Sequence, residues 1–185
     1  MANALLFALW YWGPGPRILI NVLALWPIGG DDALFRPWQL ITYGFVHSPS
    51  VLAHIGFNMF ALWIFGRPLA NDFGTDRFLI YYFGCMVGAG IVQLVFSAAT
   101  GSISPTIGAS GSVFGLLLAY GMLYPNRTLM LLFPPIPIKA KYFVLIYGAI
   151  ELTLGIWLPG SSIAHFAHLG GMATGYLLLR TFARR

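Results

Sequence analysis

A small set of polar side chains interrupts an otherwise apolar chain, and their types and spacing suit acyl-transfer chemistry. Ser110 lies between glycines in Gly108-Ala109-Ser110-Gly111 and is followed at once by an apolar stretch, Ser112 to Tyr120. A lipid-facing helix has no use for a serine set among glycines. A hydroxyl nucleophile does, because glycine lets other groups approach and the free N–H groups at a helix N-terminus can hold an oxyanion. The remaining candidates are His47, His54, Asn58, His165 and His168. His54 and Asn58 are four residues apart and share one helical face, as do His165 and His168, three apart.

Glycine spacing selects between the last two histidines. Gly111-x-x-x-Gly115 and Gly171-x-x-x-Gly175 are small-residue packing patterns, and such faces let two helix backbones come close. Ser110 immediately precedes the first pattern. His168 is three residues before Gly171, on the same face as Gly171 and Gly175. His168 is therefore the expected base, and His165 is left near the membrane interface.

Composition says what kind of scaffold must carry these groups. The 185 residues are 58% hydrophobic and only 8% charged, against about a quarter charged in soluble domains. That describes a polytopic membrane protein. The net charge of +5 could point to nucleic acid, but the basic residues sit at helix ends and in one set of loops, so no nucleic-acid partner is expected. One cysteine, Cys85, rules out a disulfide framework and a cysteine zinc site. Met1 to Trp12 lacks a basic leader region and reads as an uncleaved first span.

An all-α bundle of six spans in a single domain, 1–185, is expected. Residues 1–27 form a first helix kinked at Gly13-Pro14-Gly15-Pro16, or an interfacial segment and a short span. A loop over 28–48 carries Asp31, Asp32, Arg36 and Trp38. Spans 2 to 6 are expected at about Val51–Phe65, Phe78–Ala98, Ser110–Tyr124, Ala140–Leu158 and Ile163–Phe182. Residues 66–77 are read as a polar turn, 125–139 as a proline-rich loop, and Pro159–Ser162 as a short turn. With both termini inside, the inner segments hold Arg67, Arg77, Arg127, Lys139, Lys141, Arg180, Arg184 and Arg185, whereas the outer loops hold Arg36, with Arg17 ambiguous. The positive-inside rule then places the N-terminus in the cytoplasm. All four histidines and Ser110 fall toward the outer ends of their spans, so the site opens to the outer side.

These motifs together resemble the rhomboid family of intramembrane serine proteases. The matching residues are His54-x-x-x-Asn58 in span 2, Gly108-Ala109-Ser110-Gly111 in span 4, and Ala167-His168-x-x-Gly171-x-x-x-Gly175 in span 6, and the likeness covers about residues 35–182. The resemblance implies a six-span core in which Ser110 is the nucleophile and His168 the general base. It also implies an oxyanion hole of His54, Asn58 and the Ser110 backbone N–H. Substrates would be transmembrane segments of other proteins, entering laterally past span 5, where Phe143, Tyr147, Ile150 and Trp157 are bulky enough to form a gate. No cofactor and no metal is implied, and the likeness suggests a bacterial plasma-membrane address. Two departures stand out. Trp38 is followed by Gln39 where family members often have arginine. Phe114 stands where tyrosine often stacks on the histidine, keeping the ring face and losing a hydroxyl.

No acidic residue lies in the outer halves of spans 2, 4 or 6, so Ser110 and His168 are expected to work as a dyad, with Phe114 orienting the imidazole. Hydroxyl-rich turns at Ser102–Thr106 and Ser161-Ser162 are expected to line a water path. Glu151 is placed in the middle of span 5, away from the serine, as a hydrogen-bonded structural group; Gln93 in span 3 is read likewise. Three rivals are weighed: a transporter built around Glu151, a metal-dependent protease, and a non-catalytic relative that binds membrane clients. The first lacks paired broken helices. The second lacks a His-Glu-x-x-His motif, and no carboxylate is expected beside the histidines. The third is disfavoured by the intact Ser110 and His168.

Overall fold

The computed structural model describes residues 2–12, 16–29, 34–48, 52–131, 134–158 and 164–182. The chain is mostly helical. Helix α1 covers Ala2–Trp12, α2 Pro16–Leu23 and α3 Gln39–Thr42, the last running into a single 3₁₀ turn, Tyr43–Phe45. Helix α4 is Leu52–Ala61; a π turn, Leu62–Gly66, joins it to α5, Arg67–Phe73. Then come α6 (Thr75–Thr100), α7 (Ser110–Leu123), α8 (Ala140–Trp157) and α9 (His165–Phe182). Among the described residues, α6 and α8 are the two helices both long and apolar enough to cross a bilayer unaided.

Helix α6 forms the centre of the packing. At 26 residues it is about 39 Å long. Its face of Tyr81, Cys85, Met86 and Ala89 is fully buried, with α7 and α9 packed against it. The glycine patterns bring α7 and α9 into backbone contact. A methyl on Gly171 would lie 1.9 Å from the Gly111 carbonyl oxygen, and one on Gly115 would lie 2.5 Å from Cys85 Sγ and 3.1 Å from the Gly171 carbonyl oxygen. Only glycine permits that approach. The Tyr81 hydroxyl donates to the Gly115 carbonyl at 2.8 Å, which ties α6 to the same seam. Helix α8 lies outside, against α7 and α9, with Ile150, Ile156 and Trp157 exposed.

Several expectations need correction. The polar turn expected over 66–77 is helical as far as Phe73. Pro68 lies in the first turn of α5, after a π turn, where the widened bonding tolerates a residue with no N–H. The chain reverses instead at Gly74, whose φ of +73° suits glycine. The loop expected over 28–48 contains α3. The proline-rich loop carries an antiparallel ribbon of Thr128–Met130 with Pro137–Lys139, Leu129 opposite Ile138, so the fold is not purely α. The segment expected as the first span carries two helices, α1 and α2, each too short to cross alone. The join between them at 13–15, the Pro159–Ser162 turn (and with it the expected water path along Ser161-Ser162) and Arg184-Arg185 lie outside the described residues.

Candidate active site

Three anchors fix the loop before Ser110. The Gly108 N–H donates to the Tyr43 carbonyl at 2.9 Å, and Thr106 exchanges two backbone hydrogen bonds with Leu25. The Ala109 N–H points at His47 Nε2, 3.4 Å away. Gly108 has φ +110°, and a methyl there would lie 2.6 Å from His54 Nε2. The glycine before Ala109-Ser110 is therefore required both by the backbone conformation and by an imidazole laid against it. The sequence left His47 outside the catalytic set. It is fully buried and braces the nucleophile loop, with its ring 5.1 Å from that of His54. Burial, and then the neighbouring His54, push the His47 pKa down to about 4.

Ser110 is the first residue of α7 and is partly exposed. The Val113 N–H takes up the Ala109 carbonyl at 3.0 Å. The N–H groups of Ser110, Gly111 and Ser112 thus have no partner within the helix. One turn into α9, His168 Nε2 lies 2.7 Å from Ser110 Oγ, within the range of a nucleophile and its base. Phe114, one turn below the serine, lies flat on the His168 ring at 4.3 Å with a 6° tilt. The expected stacking face is present in that place.

On α4, Asn58 is buried. Its Nδ2 donates one hydrogen to the His54 carbonyl at 2.8 Å and has a second hydrogen to offer. Its Oδ1 has no partner. Gln39, the residue after Trp38, is fully buried. Its Oε1 accepts from the N–H groups of Trp26 and Arg36, each at 3.2 Å, and its Nε2 donates to the Leu34 carbonyl at 3.0 Å. It holds the first loop against the end of α2. Gln93 contacts Ser97 Oγ from Nε2 at 3.5 Å, inside the α6 packing.

The principal departure concerns Glu151. It is not away from the serine and its partners. Its Oε2 is 2.6 Å from His165 Nδ1 and 2.9 Å from His168 Nδ1. The first contact has hydrogen-bond geometry. The second is close but off the hydrogen-bonding line, since His168 Nδ1 makes no aligned bond, and it is best described as a charge contact. A carboxylate therefore does accompany the histidines. His165 is buried at the start of α9, not left at the interface. Sequence reasoning placed Glu151 too deep: it is six residues from the end of α8, roughly 9 Å along the helix. Its i, i+14 and i, i+17 separations from the two histidines carry no periodic signal, because a loop intervenes.

A family model, Rhomboid domain, matches residues 34–185. The chain belongs to the rhomboid family. It is 31% identical over 175 residues to the mouse presenilin-associated rhomboid-like protein, mitochondrial, covering 94% of this chain and 45% of that protein. It is 29% identical to yeast rhomboid protein 1, mitochondrial, over 86% of this chain and 49% of the relative. Rhomboid protease GluP of Bacillus subtilis matches at 32% over 75% of this chain and 25% of its own length. This rhomboid thus spans less than half the length of these relatives. Membership makes it a membrane protein. Its relatives bear mitochondrial as well as bacterial names, so they do not support the bacterial address expected from the sequence.

Proposed function

We propose that this rhomboid is an intramembrane serine endopeptidase that cuts transmembrane segments of other proteins, with Ser110 as nucleophile and His168 as general base. The observation carrying the proposal is the 2.7 Å contact between Ser110 Oγ and His168 Nε2, made by two helices locked together through glycines. Ser110 Oγ attacks the scissile carbonyl carbon while its proton passes to His168 Nε2. The resulting oxyanion is held by the Ser110 N–H, the second N–H of Asn58 and the His54 imidazole. His168 then gives the proton to the leaving amine, and the acyl group stays on Ser110. Water, losing a proton to His168, releases it.

The same reading takes six bilayer crossings, with α4 through α5 as one and the paired α1 and α2 as another. Peripheral α8, bearing Phe143, Tyr147, Ile150 and Trp157, is the side from which a substrate helix enters. Basic residues gather at the end of the bundle opposite Ser110, around Arg67, Arg77, Arg127 and Lys139, which supports an orientation with that end on the positive-inside face.

The test is labelling of detergent-solubilised protein with a fluorophosphonate probe. Wild type should be labelled, and Ser110→Ala and His168→Ala should not. Labelling that survives Ser110→Ala assigns the nucleophile elsewhere. Wild type that is folded and unlabelled favours a client-binding protein without catalysis.

A further inference from the structure

We infer that Glu151 is a positioning residue for the base: its carboxylate holds His168 in the tautomer protonated at Nδ1, and His165 holds the carboxylate. This rests on the reading of Ser110 and His168 as a catalytic pair, and it replaces a dyad with a Ser–His–Glu chain steadied by a second histidine.

Proton placement on His168 sets the role of Glu151. To accept a proton from Ser110, His168 Nε2 must carry a lone pair, so the neutral ring must be protonated at Nδ1. The structure sets Glu151 Oε2 2.9 Å from Nδ1. The opposite tautomer would set the Nδ1 lone pair beside a carboxylate oxygen and present an N–H to the serine, disabling the base. When Ser110 gives up its proton, the imidazolium carries one positive charge and the neighbouring carboxylate one negative charge. The pair is formed where water is scarce and electrostatic contacts count most.

Glu151 would be a costly group at this depth if left alone. It is not alone, because His165 Nδ1 donates to the same oxygen at 2.6 Å. The His165 and His168 rings are nearly perpendicular, at 88°, so both present Nδ1 to one carboxylate without clashing. The other ionisable groups at this level among the described residues are His54 on α4 and His47, whose ring lies 5.1 Å from that of His54. Those of α6 (Asp76, Arg77, Tyr81, Tyr82 and Cys85), of α7 (Tyr120), of α8 (Lys141, Tyr142 and Tyr147) and the later ones of α9 (Tyr176 and Arg180) lie toward the opposite end.

The three ligand atoms lie within 4.8 Å of one another, so a divalent cation is the competing occupant. Zinc needs about 2.0–2.2 Å to each ligand, which at tetrahedral angles sets the ligand atoms more than about 3 Å apart. Separations of 2.6 and 2.9 Å are shorter than that, and suit a hydrogen bond and a charge contact made directly between the side chains.

The experiment is nitrogen-15 NMR of histidine-labelled protein in micelles, with the His168 resonance assigned by its loss in His168→Asn. Fluorophosphonate labelling rates are measured on the same samples. His168 in wild type and in Ser110→Ala should be a single Nδ1–H tautomer. Glu151→Gln should give a tautomer mixture and slow labelling by a factor on the order of 10²–10⁴. Glu151→Asp should retain one tautomer and most of the rate. A purely structural role would lower the unfolding temperature of Glu151→Gln and leave the tautomer unchanged. The inference is overturned if wild-type His168 is protonated at Nε2, a result that needs no variant to fold. It is also overturned if Glu151→Gln keeps both the tautomer and the rate. A tautomer that follows Glu151 in a protein that never labels would support the positioning and remove the protease reading.

Discussion

Phe114 replaces what a hydroxyl-bearing ring would do and keeps the part that matters, a flat face on His168 at 4.3 Å. Aromatic stacking of this kind contributes about 0.5–1.5 kcal/mol. Phe114→Ala should therefore slow fluorophosphonate labelling by up to about tenfold, and Phe114→Tyr should leave the rate near wild type; equal rates in all three would mean that the ring does not orient the base. His47 has a different signature. Its folded pKa of about 4 lies below the ordinary 6.5, so below pH about 6.5 the unfolded chain binds a proton that the folded chain refuses. Its contribution to stability is whole above that pH and drains away toward pH 4, by about 1.4 kcal/mol per pH unit within the window. Thermal unfolding in detergent should show wild type losing more stability between pH 7 and pH 5 than His47→Gln, and parallel losses would contradict the assignment. Legibility at this scale was uneven. Ser110 and His168 could be read because each sits within a short motif on its own helix. Glu151 could not, because its meeting with His168 depends on how α8 and α9 are offset across a loop, which no spacing encodes.

At the scale of elements, the seam between α7 and α9 carries the site. The sequence disclosed it through two glycine patterns, and the structure makes it tighter than spacing alone implies, with the Gly171 backbone pressed on the Gly111 carbonyl. Gly171→Ala should force α7 and α9 apart, lowering the unfolding temperature and abolishing probe labelling together. Gly56→Ala, on an exposed helical position with nothing within 4 Å of the added methyl, should cost nothing and gain slightly in helix propensity. A Gly171→Ala protein as stable and as reactive as wild type would show that the seam is not the locating contact. The π turn and the run of helix through Pro68 escaped the sequence reading for a physical reason. Proline normally ends a helix, and the exception depends on a local rearrangement of hydrogen bonds that residue types do not announce.

For the whole molecule, the question is where the reacting groups sit relative to the bilayer. The chain exposes apolar side chains along α6 and α8, such as Ile80, Ile91, Val95, Leu145 and Ile156, as a lipid-facing wall requires. Its basic loops lie at the end away from Ser110. In sealed vesicles of known orientation, Ile103→Cys and Asn126→Cys should react with an impermeant maleimide from opposite sides; the natural Cys85 is fully buried and should stay silent. Reaction of both from one side would refute the orientation.

The central claim is that a serine beneath the surface of this bundle breaks peptide bonds within the membrane. It is tested most directly by reconstituting the protein in liposomes with a single-span substrate whose helix carries a small-residue, helix-breaking stretch near its outer end, and following cleavage by mass spectrometry. The account predicts a cut inside the span by wild type and intact substrate with Ser110→Ala. A cut that persists at the same bond in Ser110→Ala, or folded wild type that binds the substrate and leaves it whole, would contradict it.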